Sequence, residues 1–330
     1  MNFEAIPKIE NHLHLEGAIP LESLWELINK YGGDTSVPDF NKLEKRFIYS
    51  DFNHFIETWI WKNQFIREYD DFSFIASSVL DDLVSQNVRY AEIFVSPSSF
   101  RKNLATQRII EAISKSINSN KAIRVRLIID LVRNFGPENE MRTLYEMNEV
   151  KALGVIGIGI GGSEKEFPPE LFIDVYEQAR KFGFRTTAHA GEAAGTESIW
   201  GALRVLRVER IGHATRAIDD PELLKYLAGH HIPLELCPLS NFRTRVIDSI
   251  ENHPVKSYIE MGIPVSINTD DPKMFGNSLS DEYKNLQDVF GFSDDDIAGI
   301  ILNSINTLWL DESDRTDMIR EFRQEMAALS

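Results

Sequence analysis

Short, nearly uninterrupted apolar runs recur along the chain at 6–13, 88–95, 125–131, 155–160, 185–188, 208–212, 233–236 and 264–268. Brevity without polar alternation is the mark of strands covered on both faces, as in a parallel sheet. Between the runs, segments 73–86, 106–119, 138–153, 169–183 and 221–229 repeat apolar residues at three-to-four spacing. Several begin near Pro, Asp, Ser or Thr and finish near Gly, which are helix start and stop signals. Eight strands alternating with helices either close into a barrel or spread into a doubly wound open sheet. The open sheet usually carries a glycine-rich turn after its first strand. Here the first run ends in His12-Leu13-His14, with only Gly17 nearby. The pattern predicts an α/β fold, a (β/α)8 TIM barrel.

Two regions depart from the repeat. Residues 34–70 form an insertion after the helix of the first strand, rich in aromatics: Phe47, Phe52, Phe55, Trp59, Trp61 and Phe65. It is expected either to wall the barrel mouth as a lid or to pack an extra helix against the barrel, and the two are not exclusive. After the eighth strand, helical stretches follow at about 281–291, 294–308 and 311–328. No linker, low-complexity segment or shorter repeat interrupts the 330 residues, so one domain, 1–330, is expected. Barrels commonly run to this length as one unit.

Composition narrows the function. The net charge is −16, and no basic face stands out for a polyanion, so no nucleic-acid polymer is expected as partner. The only cysteine, Cys237, can form neither an internal disulfide nor a paired-cysteine metal site. The first eight residues lack a basic-then-apolar leader pattern, and no window has the apolar length of a membrane span. The expected setting is the cytoplasm, with no membrane partner.

The polar residues that close the apolar runs carry the chemistry. His12 and His14 lie two apart at the end of the first run, so both imidazoles project to one side. The fifth run leads into His189-Ala190-Gly191-Glu192, the sixth into His213, and the eighth into Asp270-Asp271-Pro272. In a parallel barrel all C-terminal strand ends meet at one mouth, where active sites sit. Each cluster alone is weak, and their shared place in the repeat makes the set strong. Three neutral imidazoles and one carboxylate suit a zinc ion with one open position. Such an ion lowers the pKa of water to about 7. Asp270-Asp271 has a plainer reading, a turn that caps the helix after Pro272. Cys237 also faces the mouth, with packing and turn formation favoured over a thiolate role. His54, His230, His231 and His253 occupy no strand end and are expected to be structural or exposed.

These residues resemble the adenosine/adenine deaminase family of the amidohydrolase superfamily. The resemblance runs from PKIENHLHLEG at 7–17 through GIGIGGSE at 157–164, HAGE at 189–192, RIGHAT at 210–215 and CPLSN at 237–241 to SINTDDP at 266–272. It implies that His12, His14, His189 and Asp270 ligate one Zn2+ per chain. It implies that Glu192 delivers a proton to purine N1, and that His213 orients or deprotonates the attacking water. Asp271 is the implied partner of N7, and Gly162 brings its backbone to N3. In the family, hydroxide adds to C6 and ammonia leaves, giving a 6-oxopurine. The implied substrate is a small 6-aminopurine, adenosine or a related nucleoside.

Departures bear on which aminopurine. Glu16 stands where adenosine-specific members have a ribose-contacting Asp, and it resembles the free-adenine group. Ser163-Glu164 and CPLSN lean the same way. Gly212 looks like the adenosine enzymes. Ala214, which replaces a usual glycine, and Ala193-Ala194-Gly195 are unusual for either. Adenine, or a modified adenosine derivative, is therefore an alternative substrate. Hydrolysis of another bond is opposed by Glu192 and the Asp270-Asp271 pair. A noncatalytic purine-binding barrel would have lost a ligand or the acid, and none is missing. A polynucleotide deaminase needs a PCxxC zinc signature that one cysteine cannot supply.

Overall fold

The computed structural model describes residues 1–50 and 52–329, with the side chains of 52 and 53 set aside. The Phe52 ring, assigned above to the insertion, thus lies outside the described residues. Among the described residues, nine strand segments form a ring. They are β1 (Lys8–His14), β2 (Val88–Val95), β3 (Arg124–Val132), β4 (Val155–Gly161), β5 (Arg185–Thr186), β6 (His189–Ala190), β7 (Ile211–His213), β8 (Leu234–Leu236) and β9 (Val265–Ile267). Every ladder is parallel, in sequence order, with β1 to β5 in one sheet and β6 to β9 in another.

β5 and β6 are two pieces of one barrel strand, separated by Thr187 and Ala188. The gap does not open the wall. Thr187 N–H donates to Ile158 O (3.0 Å), and Gly212 N–H donates to Ala188 O (2.9 Å). The ring closes where Leu13 bridges Asp270. There His14 N–H donates to Asp270 O (2.9 Å) and Asp270 N–H to His12 O (3.1 Å). The eight apolar runs are therefore the eight staves of a (β/α)8 barrel, as the pattern predicts.

Several boundaries move for identifiable reasons. Pro233 and Pro264 have no N–H, so the ladders of the last two strands start one residue later, at Leu234 and Val265. Arg207 has φ of 55°, which delays the run expected from 208 until Ile211. The helix expected at 73–86 begins at Tyr69, because Glu68 and Asp71 form a capping box ahead of it. The 138–153 segment divides into Gly136–Glu149 and a single 3-10 turn, Lys151–Leu153. Helices Thr106–Ser119 and Pro221–Gly229 match the pattern residue for residue. After the short helix Pro272–Phe275, three longer helices follow the last strand as expected, at Leu279–Asp288, Asp294–Ser304 and Glu312–Leu329.

Ile129, Ile158 and Leu236 on the strands and Ile109, Leu144 and Leu227 on the helices are fully buried in one continuous core. Hydrophobic burial at the strand–helix layer is what drives this closure. The insertion serves both expected roles. Trp61 and Phe65 join the main core. Phe55 forms a separate cluster with Met274 and Phe275, just past the last strand, and Phe47, Tyr49 and Trp59 pack against it. Trp59 also meets the His14 ring edge-on at 6.4 Å, so this half of the insertion walls the mouth. Among the described residues, no helix is long and apolar enough to cross a membrane.

Candidate active site

The residues that end β1, β6 and β9 converge. His12 Nε2 and His14 Nε2 each lie 3.1 Å from His189 Nε2. Asp270 Oδ1 lies 3.5 Å from His12 Nε2 and 3.2 Å from His14 Nε2. The four side chains are buried, and their ligand atoms fall within 4.8 Å of one another. Zinc–nitrogen bonds of 2.0–2.1 Å in a tetrahedron require ligand atoms about 3.3 Å apart. Four of the six separations, at 3.1–3.5 Å, are close to that spacing, so the donor set fits a zinc ion. The charge balance points the same way. Burial pulls the His12 and His14 imidazoles down, but bonds to Asp270 and neighbouring carboxylates outweigh it and raise them to about 9 and about 10. Burial and the other imidazoles hold His189 well below the usual range. The carboxylates around His12 and His14 thus favour positive charge at this point, a charge that a zinc ion would supply with the imidazoles neutral.

Three of the four ligands are held from behind by close polar contacts, and His14 Nδ1 faces Asp130 Oδ2 at 3.7 Å. His12 Nδ1 lies 2.8 Å from Glu235 Oε2. The other Glu235 oxygen pairs with Arg210 Nε at 2.6 Å, and Arg210 Nη2 pairs with Glu92 Oε2 at 2.6 Å. His189 Nδ1 lies 3.1 Å from Ile160 O, which leaves Nε2 free to face the centre. Ser240 Oγ donates to Asp270 Oδ2 at 2.7 Å. Such partners fix the ring orientation and basicity of metal ligands. Asp270 itself has φ of 65° and His213 has φ of 63°. A non-glycine residue in this region costs of order 1–3 kcal/mol and persists only where its surroundings hold it. For Asp270 the holding groups are the two barrel-closing backbone bonds.

Glu192 and His213 stand beside this cluster. His213 Nε2 lies 3.7 Å from Glu192 Oε2 and 4.0 Å from Asp270 Oδ2. Burial, reinforced by the Asp270 and Glu164 carboxylates, holds the Glu192 carboxyl well above its usual range. Burial pulls His213 down to about 3, so its imidazole is neutral. A buried chain of bonds sets its tautomer. Val255 N–H donates to His253 Nδ1 (3.2 Å), which places the His253 proton on Nε2, 3.3 Å from Asn241 Oδ1. Thr215 Oγ1 donates to that same oxygen (2.8 Å). Asn241 Nδ2 therefore faces His213 Nδ1 (3.1 Å) and donates to it. The His213 proton is left on Nε2, facing the mouth.

The remaining candidates line the surroundings. Asp271 is buried, and burial first, then Asp270, push its carboxyl up to about 8. It is the residue before helix Pro272–Phe275, but its side chain makes no capping bond. A Cβ on Gly17 would stand 1.7 Å from Asp271 Oδ1, so only glycine lets that carboxylate occupy its position. Glu16 is buried, and its Oε1 accepts from Ser96 N–H at 3.0 Å. Lys62, from the insertion, donates to Glu16 O at 2.6 Å and is itself buried. Gly162 has φ of 100° and sits against Asn134. A cavity of 420 Å³ opens alongside, between Phe47 and Tyr49 of the insertion and Arg243, Arg245, Met274 and Phe275, and it touches none of the metal-site residues.

Sequence reasoning left out Glu92, Asp130 and Glu235. Each is a lone carboxylate inside an apolar strand, a signal that was open to reading. It also left out Lys62, for which no local pattern exists, and the reason for CPLSN. Ser240 and Asn241 of that motif brace Asp270 and His213. Cys237 is fully buried, and burial holds its thiol well above the usual range, in keeping with the packing role expected for it. His253, read as structural or exposed, is buried behind Asn241; His230 and His231 are exposed.

Comparison with known proteins agrees with this geometry. The sequence profile of the adenosine deaminase family matches residues 7–325. An aminodeoxyfutalosine deaminase of Streptomyces avermitilis is 35% identical, over 98% of this chain and 92% of its own. An adenine deaminase of Bordetella parapertussis is 33% identical, over 92% of this chain and 96% of its own. The crystal structure of an adenine deaminase from Arthrobacter aurescens superposes with a TM-score of 0.93 at 27% identity, covering 98% of this chain and 100% of that one. An amidohydrolase from Burkholderia ambifaria, solved with bound Zn, gives a TM-score of 0.89 at 27% identity, over 99% of this chain and 93% of that one. With its barrel, its convergent strand ends and a family match over nearly its whole length, the chain belongs to the adenosine deaminase family, the hydrolytic adenosine and adenine deaminases of the amidohydrolase superfamily.

Proposed function

We propose that the protein removes the 6-amino group of a purine nucleoside, adenosine or a derivative of it, using one zinc ion held by His12, His14, His189 and Asp270. The observation that carries this reading is the meeting of that donor set with the Glu192 carboxyl and the His213 imidazole at one barrel mouth. When bound, the ion makes hydroxide available near neutral pH. Glu192, kept protonated by its surroundings, donates to ring N1 and makes C6 electrophilic. His213 carries its proton on Nε2, so in this state it orients the water oxygen by donating to it rather than by taking its proton. Asp271, raised to about 8, retains a proton to share with N7. Gly162 brings backbone to the N3 edge, and the insertion wall of Trp59 and Phe55 excludes water.

A modified nucleoside as substrate is supported by the 35% identity to an aminodeoxyfutalosine deaminase. A second reading, free adenine, is favoured by Glu16 and by the likeness to adenine deaminases. Ammonia release by zinc-loaded protein from adenosine, deoxyadenosine, methylthioadenosine, AMP and adenine separates them. Turnover of one or more nucleosides with adenine inert supports the proposal, and turnover of adenine alone refutes it. Glu16→Asp should raise the nucleoside-to-base rate ratio, and an unchanged ratio removes Glu16 from specificity.

A further inference from the structure

Glu164 is buried to 2% exposure in the turn that follows β4, yet it touches no ligand of the metal centre. Its carboxylate is fully engaged by the loop that carries Glu192. Oε2 accepts from Gly191 N–H (2.9 Å) and Ser198 Oγ (2.6 Å). Oε1 accepts from Glu192 N–H (3.0 Å) and Ala193 N–H (2.8 Å). Three successive amides turned to one point form a nest that binds an anion, and here the anion is a side chain of the same protein. A carboxylate offers about four lone-pair sites, and all four are used.

The consequence lies in where these amides sit. The middle amide belongs to Glu192 itself, so the nest fixes the backbone from which its side chain departs. Glu192 is otherwise only loosely held, with its carboxyl 3.7 Å from His213 and a fifth of its side chain exposed. Glu164 is also two residues from Gly162. One short turn therefore joins the backbone assigned to purine N3 to the group assigned to N1.

We infer that Glu164 is a positioning residue for the deamination, locking the Gly191–Ala193 loop so that the Glu192 carboxyl stands where the purine N1 arrives. This inference rests on the assignment of Glu192 as the acid. Glu164→Gln is the direct test, because an amide nitrogen in place of either oxygen would face at least one N–H donor, and one or two of the four bonds would be lost. Small misplacements of a reacting group cost up to about 100-fold in rate. The expected result is a kcat lowered about 10–100-fold per zinc-loaded molecule, with KM and zinc stoichiometry near those of the parent. Ser198→Ala removes one bond of the four and should show a smaller fall in the same direction, which keeps the test open if Glu164→Gln folds poorly.

The decisive measurement is the double variant with Glu192→Gln. If Glu164 acts through Glu192, the double variant is no slower than Glu192→Gln alone. Parental kcat in Glu164→Gln beside a crippled Glu192→Gln overturns the role of Glu164 and leaves the acid assignment standing. Multiplicative losses in the double variant also overturn it. Full activity in Glu192→Gln overturns the acid assignment instead.

Discussion

Glu235→Gln probes whether the buried carboxylate behind His12 tunes the metal site or merely stabilises the barrel. Glu235 is completely buried, with one oxygen 2.8 Å from His12 Nδ1 and the other 2.6 Å from Arg210 Nε. Both neighbours are donors. A glutamine has one oxygen, so whichever way it turns, its NH2 faces an N–H. An unsatisfied buried donor costs about 1–3 kcal/mol, and breaking a buried ion pair costs about 3–5 kcal/mol. Removing a partner behind a metal-binding imidazole typically weakens metal affinity about 10–100-fold, or about 1.4–2.7 kcal/mol. Glu92→Gln separates the two effects. Glu92 meets the same Arg210 at 2.6 Å and accepts from Trp309 N–H (3.0 Å) and Tyr90 Oη (3.1 Å), but makes no bond to His12.

The assay is zinc affinity in graded zinc buffers, alongside thermal unfolding of the metal-free proteins. Both variants should melt lower than the parent. Only Glu235→Gln should lose zinc affinity, with Glu92→Gln staying within about twofold of the parent. Parental zinc affinity in Glu235→Gln, or equal losses in both variants, refutes the reasoning and reduces the Glu235–Arg210–Glu92 chain to a structural ion pair.

Three further outcomes follow from the geometry. Asp270→Ala should lose bound metal and turnover together, and full activity in metal-free Asp270→Ala protein sinks the ligand assignment. Gly17→Ala should displace Asp271, since the new methyl would stand 1.7 Å from its carboxylate oxygen; the expected result is a raised KM with zinc content unchanged, and a parental KM counts against Asp271 as a substrate contact. Glu140, fully buried away from the metal site, is pushed by burial up to about 7. A carboxyl raised in the folded state contributes stability below the unfolded pKa, about 4.5, that is lost as pH rises through about 7. Glu140→Gln should therefore gain stability over the parent at pH 8, of order 3 kcal/mol at most, and little at pH 4. An equal melting difference at both pH values rejects a titrating Glu140.

The barrel was legible because its strands are short apolar runs and its functional groups are the polar residues that end them. His12, His14, His189, His213 and Asp270 all met that description, and the closed ring then required them to share a mouth. The tautomer of His213 was not legible, since it depends on Asn241 and His253, which lie 28 and 40 residues further on and have no periodic relation to it. Nor was the split of the fifth strand, whose backbone partners, Ile158 and Gly212, lie in two different sheets.

Gly212 shows how a sequence feature can be seen without its structural reason. In sequence it reads as a mark of substrate preference. In the structure it pairs with His189 on one side and Glu235 on the other. A Cβ there would stand 2.8 Å from His12 Cε1 and 3.4 Å from the Cα of His189. The empty side-chain position is the slot through which the His12 ring crosses the barrel from β1 to reach Glu235. Periodicity can place a glycine on β7 and a carboxylate on β8, but only the register of the closed barrel sets the one beside the other. The glycine is thus explained by the support of a metal ligand. A structural reason for the glycine leaves the choice between base and nucleoside to the substrate panel and to Glu16→Asp.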